Sequence, residues 1–156
     1  MRLLAATLAA ILLGACSSPA PRKAAEKKAE APAPPPVKDN SEKLLTANRV
    51  SAEVVQNHLL GISALPGGTI GDYRAKGQKY QLFVIETETP QDAAIMLLDL
   101  KNTLKDPEYI ASFGGYFGAD SNGNLFVFAK GKFLAGVAGL PQAKADAIAR
   151  ELAAKL

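Results

Sequence analysis

The chain has 156 residues, 48% of them hydrophobic, with a formal charge of +3 and a pI near 9.0. That length supplies one modest hydrophobic core and excludes a pair of independent domains. The positive charge invites a nucleic-acid reading, but residues 41–156 hold 12 basic and 12 acidic side chains, and the surplus lies before them. Capture of a polyanion needs a concentrated basic surface, so no nucleic-acid partner is expected.

Arg2 opens the chain with a positive charge, and residues 3–13 form an apolar run broken only by Thr7. The run falls short of the about 20 apolar residues of a bilayer span. It has the form of a cleavable secretory signal over residues 1–15. It ends at Leu13-Gly14-Ala15-Cys16, which contains the single cysteine. Ordinary signal peptidase prefers small residues at the first and third positions before the cut, and Leu13 stands at the third. Leu-Gly-Ala-Cys resembles the bacterial lipobox. The resemblance implies that the Cys16 thiol becomes diacylglyceryl-modified and that cleavage exposes its amine for acylation, palmitate included. Each buried methylene contributes about 0.8 kcal/mol, so two or three acyl chains hold firmly where one binds reversibly. The alternative is a free thiol in an ordinary leader, which would have no disulfide partner. Ser17 in place of an aspartate resembles lipoproteins destined for the outer membrane. The expected location is therefore the cell envelope, lipid-anchored in the outer membrane and facing the periplasm.

Residues 16–40 read as the lipidated cysteine and an unfolded tether rich in Ala, Pro and Lys. Pro19, Pro21, Pro32 and Pro34-Pro35-Pro36 interleave with alanines and charges, leaving almost nothing large and apolar to bury. At ~3.1 Å per residue, residues 17–40 reach roughly 70 Å when fully extended. A spacer off the membrane is the reading adopted. Binding of peptidoglycan or anionic headgroups by its lysines is the alternative.

Residues 41–156 are expected to form one α+β domain, an antiparallel sheet of about five strands packed with two to three helices. Ser51 can cap a helix over 51–60, stopped by Gly61. Leu65-Pro66-Gly67-Gly68 reads as a turn, residues 69–75 as a strand and Lys76-Gly77 as a reversal. Tyr80, Leu82 and Val84 then alternate with Gln81, Phe83 and Ile85, so a strand apolar on both faces and central in the sheet is predicted. Thr89 suits a helix cap, Pro90 the first helical position and Asp92 the first turn. Ala93, Leu97, Leu100 and Leu104 form one stripe with Ala94, Met96 and Leu98 beside it, the face expected to lie on the sheet, and Asp106-Pro107 stops that helix. Residues 113–119 read as a glycine-rich strand and Asn122-Gly123 as a two-residue hairpin. Strands over 124–130 and 132–140 follow, joined at Gly131. Pro141 opens a last helix with Ala145, Ile148, Ala149, Leu152 and Leu156 on its buried side, and Lys155 near its negative end. No internal repeat is present.

Three stretches carry a resemblance: Glu86-Thr87-Glu88-Thr89-Pro90-Gln91-Asp92-Ala93, Gly115-Tyr116-Phe117-Gly118, and the run from Leu125-Phe126-Val127-Phe128 to Phe133. They resemble a family of uncharacterised bacterial envelope lipoproteins and, more loosely, the PsbP-like α/β/α sandwich. The resemblance covers about residues 69–140 and consists of structural punctuation. It implies a fold and a non-enzymatic accessory or binding role, with no functional residues to carry over.

Each candidate site has a plain structural explanation. His58, the only histidine, would need a neighbouring nucleophile and an orienting acid to act in catalysis. Cys16 is taken by the anchor, and contact with the last carbonyls of the first predicted helix explains His58. Asp120-Ser121-Asn122-Gly123-Asn124 begins like a calcium loop, but Leu125 and Gly131 stand where a glycine and a bidentate glutamate are needed. A hairpin explains those residues. Glu86 and Glu88 project from one side of a strand, as an acid and base pair would, with no third group at a fixed spacing. Gly67, Gly68 and Gly71 lack the lysine and hydroxyl of a P-loop. Gly114, Gly115 and Gly118 suggest a close approach to a strand, by the central helix or by a ligand bounded by Phe113, Tyr116, Phe117, Phe126 and Phe128.

Those five aromatics are the expected contact surface. No catalytic, metal-binding or cofactor-binding residue is predicted. The functional expectation is a lipid-anchored envelope protein whose domain binds an envelope protein or a small apolar ligand. The alternatives are an envelope-polymer hydrolase using Glu86, Glu88 and His58, or a structural accessory subunit of an envelope complex.

Overall fold

Two antiparallel meanders join into one sheet. The first comprises β1 (Arg49–Asn57), β2 (Pro66–Ala75) and β3 (Gln78–Glu86). Helix α1 (Pro90–Thr103) then crosses one face to the second, β4 (Lys105–Ile110), β5 (Gly115–Asp120), β6 (Gly123–Lys130) and β7 (Phe133–Ala138). Helix α2 (Gln142–Ala153) follows. The sheet order is β1-β2-β3-β7-β6-β5-β4, so β7 returns to pair with β3 at the centre. This computed structural model describes residues 36–156. The predicted leader, Cys16 and most of the predicted tether lie outside the described residues.

Local chemistry explains the well-defined joints. Lys76 and Gly77 have φ of 48° and 80°, both positive, as a two-residue type I′ hairpin between β2 and β3 requires. Helix α1 begins with a capping box: the Asp92 amide donates to Thr89 Oγ1 at 3.2 Å, and the Thr89 amide donates to Asp92 Oδ2 at 3.0 Å. Ala93, Leu97 and Leu100 bury the predicted stripe. Strand β3 is apolar on both faces because both are covered. Leu82 and Val84 pack with Phe126, Phe128 and the α2 residues Ala145, Ala149 and Leu152. Phe83 and Ile85 pack on the opposite side with Leu97, Leu100, Leu125 and Leu134. The helices therefore cover opposite faces of the sheet.

The sheet has seven strands where about five were expected, and both additions are edge strands. The predicted helix over 51–60 is β1, with only a 3₁₀ turn at Leu59–Gly61. Val50, Ala52 and Val54 alternate with Ser51, Glu53 and Val55, and this period of two with β-branched residues prevails over the apparent cap and stop. Ser51 donates across strands to Asp72 Oδ2 at 2.9 Å instead of capping a helix. The expected turn at 65–68 is the entry to β2, where Gly67 and Gly68 are buried. The second addition is β4, directly after α1. Helix α1 ends at Thr103, before Asp106-Pro107. Asp106, at φ 48°, lies where the register with β5 shifts, so this pair bulges an edge strand instead of stopping the helix. Strand β5 begins at Gly115, which leaves Phe113 and Gly114 in the preceding turn, and the next hairpin turns at Ser121-Asn122.

The folded unit starts before the expected boundary at 41. The Asn40 amide donates to Thr69 Oγ1 at 2.8 Å, Leu44 is fully buried, and Tyr73 Oη donates to the Leu45 carbonyl at 2.6 Å. Burial pushes the Tyr73 hydroxyl up to about 12, so it stays a donor at any ordinary pH. Among the described residues no helix is long and apolar enough to cross a membrane.

Gly136 in β7 is the tightest point of the centre. A Cβ there would lie 2.4 Å from the Phe126 carbonyl oxygen and 2.6 Å from Phe83 Cε1. Gly136→Ala is expected to lower the unfolding free energy by about 2 kcal/mol, seen as a lower urea midpoint with an unchanged slope.

Candidate functional site

Between β3 and the first edge, the part of the α1 face that the helix does not cover is hollow. The alternation of β1, β2 and β3 aims Glu53 and Val55, then Ile70, Asp72 and Arg74, then Lys79 and Gln81 toward this side. The turn 58–61 closes one wall, the Asp120 to Asn124 hairpin another, and Ala138 of β7 continues the floor. The groove encloses about 790 Å³, within the range of small-molecule sites.

The wall at 58–61 is strained and held. His58 and Leu60 adopt left-handed φ of 52° and 58°, costing about 1 kcal/mol each. Burying Leu59 completely contributes about 2 kcal/mol. Asn122 Nδ2 donates to the Leu60 carbonyl at 2.9 Å, adding about 1 kcal/mol. The gains exceed the strain, so the wall stays folded over the sheet. On the floor, Asp72 is fixed from both sides: Oδ2 accepts from Ser51 Oγ and Oδ1 from Gln81 Nε2, each at 2.9 Å. The Asp120 Oδ1 acceptor of the Asn122 amide, at 2.7 Å, sets the hairpin that carries Asn122.

The residues singled out in the sequence are dispersed. Cys16 lies outside the described residues. His58 is on the groove rim, whereas Glu86 shares the opposite face of the sheet with Leu82 and Val84. Glu88 is exposed in the loop before α1. Among the described residues no hydrogen bond or ion pair joins these three. Glu86 Oε1 instead receives Lys132 Nζ at 2.6 Å and Lys38 Nζ at 2.8 Å. The Lys132 bond, then the Lys38 bond, lower its carboxyl to about 2 against a smaller opposing push from burial. Asp120 and its neighbours form the hairpin. Among the described residues no cluster of three or more His, Cys, Asp or Glu could hold a metal ion.

Of the five aromatics, four meet on the α2 side. Phe126 and Phe128 are fully buried, and the Phe113 ring lies 5.2 and 5.0 Å from theirs, with Phe117 beside Phe126 at 6.5 Å. Arg150 stacks over Phe113 at 5.0 Å. Tyr116 points to the α1 side and packs with Tyr109 at 5.4 Å. These residues thus serve the core on both faces, with Phe113, Tyr116 and Phe117 half-exposed. The close approach at Gly118 comes from Leu104 and Lys105, where α1 ends. Sequence reasoning missed Asp72, Arg74 and Lys79, and took Gln81 only as a strand residue and Asn122 only as part of a hairpin. The signal that could have found the strand residues was the Lys76-Gly77 hairpin, whose two-residue loop dictates which side chains of β2 and β3 stand opposite.

No family model, curated protein or solved structure matches the chain.

The Glu86 cluster sets a pH dependence. Its folded carboxyl is depressed from 4.5 to about 2, so its stabilising contribution is complete above about pH 5 and disappears as pH falls toward about 2. Glu86→Gln is expected to be less stable than wild type near neutrality and equal to it near the acid end. Urea midpoints measured across that range check this, and added salt should narrow the gap because both lysines are partly exposed.

Proposed function

We propose that this chain is a lipid-anchored protein of the bacterial cell envelope whose folded domain binds a polar small ligand without transforming it. The anchor would be the acylated Cys16, placing the domain at the periplasmic side of the outer membrane. Leu13-Gly14-Ala15-Cys16 at the end of an apolar run supports this part. The observation that carries the binding reading is the groove itself. It is concave, and polar side chains in it are held by hydrogen bonds before any ligand arrives: Asp72 by Ser51 and Gln81, and Asn122 by the Leu60 carbonyl. Such preorganisation reduces the entropy lost on binding. The lining favours a polar ligand over the small apolar one that the aromatic strands suggested.

Hydrolysis by Glu86, Glu88 and His58 draws no comparable support. A carboxyl near 2, paired with two lysines, is a poor general acid or base at neutral pH. It also faces away from the histidine.

Native and intact mass spectrometry of detergent-extracted protein tests both parts. The expected spectrum has an acyl adduct on Cys16 and a non-covalent ligand adduct. Cys16→Ser should remove the first and release the chain from the membrane fraction. Ala138→Leu, which fills the groove floor, should remove the second. An unmodified thiol overturns the anchor, and a ligand adduct unaffected by Ala138→Leu overturns the groove.

A further inference from the structure

We infer that the groove selects a ligand carrying an oxyanion, a carboxylate or a phosphate, that sits between Arg74 and Lys79; this rests on the groove being the binding site. Arg74 and Lys79 are direct register partners on β2 and β3. Side chains so opposed leave one face with Cβ atoms about 5 Å apart, where like charges repel and destabilise the sheet. Both are exposed at the groove, and among the described residues neither forms an ion pair.

Among the described residues no carboxylate of the groove is ion-paired with either cation. Asp72, the diagonal neighbour of Lys79, directs both oxygens to the neutral donors Ser51 and Gln81, so its carboxylate offsets the repulsion only in part. Asp120 is turned back to the Asn122 amide. Glu53 is on β1, opposite Ile70 and a strand removed from Lys79. Elsewhere the chain brings two lysines to one carboxylate at Glu86, so neutralising partners are within the means of this fold. At Arg74 and Lys79 a directly paired anion is left to be supplied from outside. The guanidinium fork takes two oxygens of one anion and the ammonium adds a point charge. Gln81 and the Asn122 and Asn124 amides offer hydrogen bonds to the uncharged remainder of the ligand.

The test is a titration of the dialysed, ¹⁵N-labelled full chain in neutral detergent micelles with inorganic phosphate, and separately with acetate, at constant ionic strength. Saturable shifts are expected at Arg74, Lys79 and Gln81 with either or both anions, and whichever binds more tightly identifies the oxyanion. Lys79→Gln should weaken binding about tenfold or more and raise the thermal midpoint at low salt by removing the repulsion. Lys132→Gln should leave the titration unchanged. Shifts that persist in Lys79→Gln, or that centre on Lys38 and Lys132, overturn the inference. A groove silent to both anions also overturns it, while the groove reading stands as long as the ligand adduct remains sensitive to Ala138→Leu.

Discussion

The antiparallel pairing of β3 with β7, from Gln81↔Ala138 to Glu86↔Phe133, is the constraint on which the rest depends. It joins two meanders that follow each other across α1, and the paired strands themselves are separated by that helix and three further strands. Such a contact is gained only after the loop between has been closed, so its stabilisation must exceed that entropy. The sequence meets this demand with apolar residues on both sides of β3, so that one strand contributes to two cores at once. Gly136 lets the Phe83 ring lie across the neighbouring backbone without a gap. The groove inherits the same dependence, because its floor passes from Gln81 to Ala138 across this seam. The groove is therefore complete only when the two meanders are joined, and not in either half alone.

The same seam is where the first described residues attach. Glu86 ends β3 opposite Phe133, and the lysines that reach it come from the turn before β7 and from the segment leading into the domain. The ion pairs are not the main hold on that segment. The Lys38 side chain is 70% exposed and Lys132 45%, and pairs of that kind contribute 0 to about 1 kcal/mol. Leu44, fully buried against the α2 side of the sheet, contributes about 2 kcal/mol, and the Asn40 and Leu45 hydrogen bonds add to it. Apolar burial anchors the segment, while charge sets where its first residues lie.

What was legible in the sequence was whatever local chemistry alone decides. The capping box at Thr89 and Asp92, the two-residue loop at Lys76-Gly77 and the doubly apolar β3 each carry their own cause within a few residues. The edges carried no such signal. Strand β4 is exposed along most of its length and lacks alternation, so its form is imposed by β5. Strand β1 carries an alternation of its own, but Ser51 and Gly61 would equally suit a helix, and its pairing with β2 decides between them. The aromatic strands illustrate the reverse case: Phe126 and Phe128 look like a ligand surface until α2 is seen to cover them. The groove was illegible for a deeper reason. Its residues come from three strands, a strained turn and a distant hairpin, and the turn 58–61 was itself read as the end of a helix.

Charge shows why a total and a distribution answer different questions. The balance of 12 against 12 over residues 41–156 means that the domain exerts little long-range attraction, which disfavours capture of nucleic acid or another polyanion. Balance over the whole does not impose balance at each point. The fold gathers two lysines at Glu86 while leaving Arg74 and Lys79 side by side. On the same groove face, Asp72 lies in the next cross-strand pair and Glu53 beside the one after it. A continuous polyanion laid in the groove would meet those carboxylates and be repelled. On the proposed reading, a small ligand with one anionic end would meet the cations with that end and Asp72, Gln81 and Asn122 with a neutral or donor-rich remainder. The arrangement would then discriminate by the size of the charged portion.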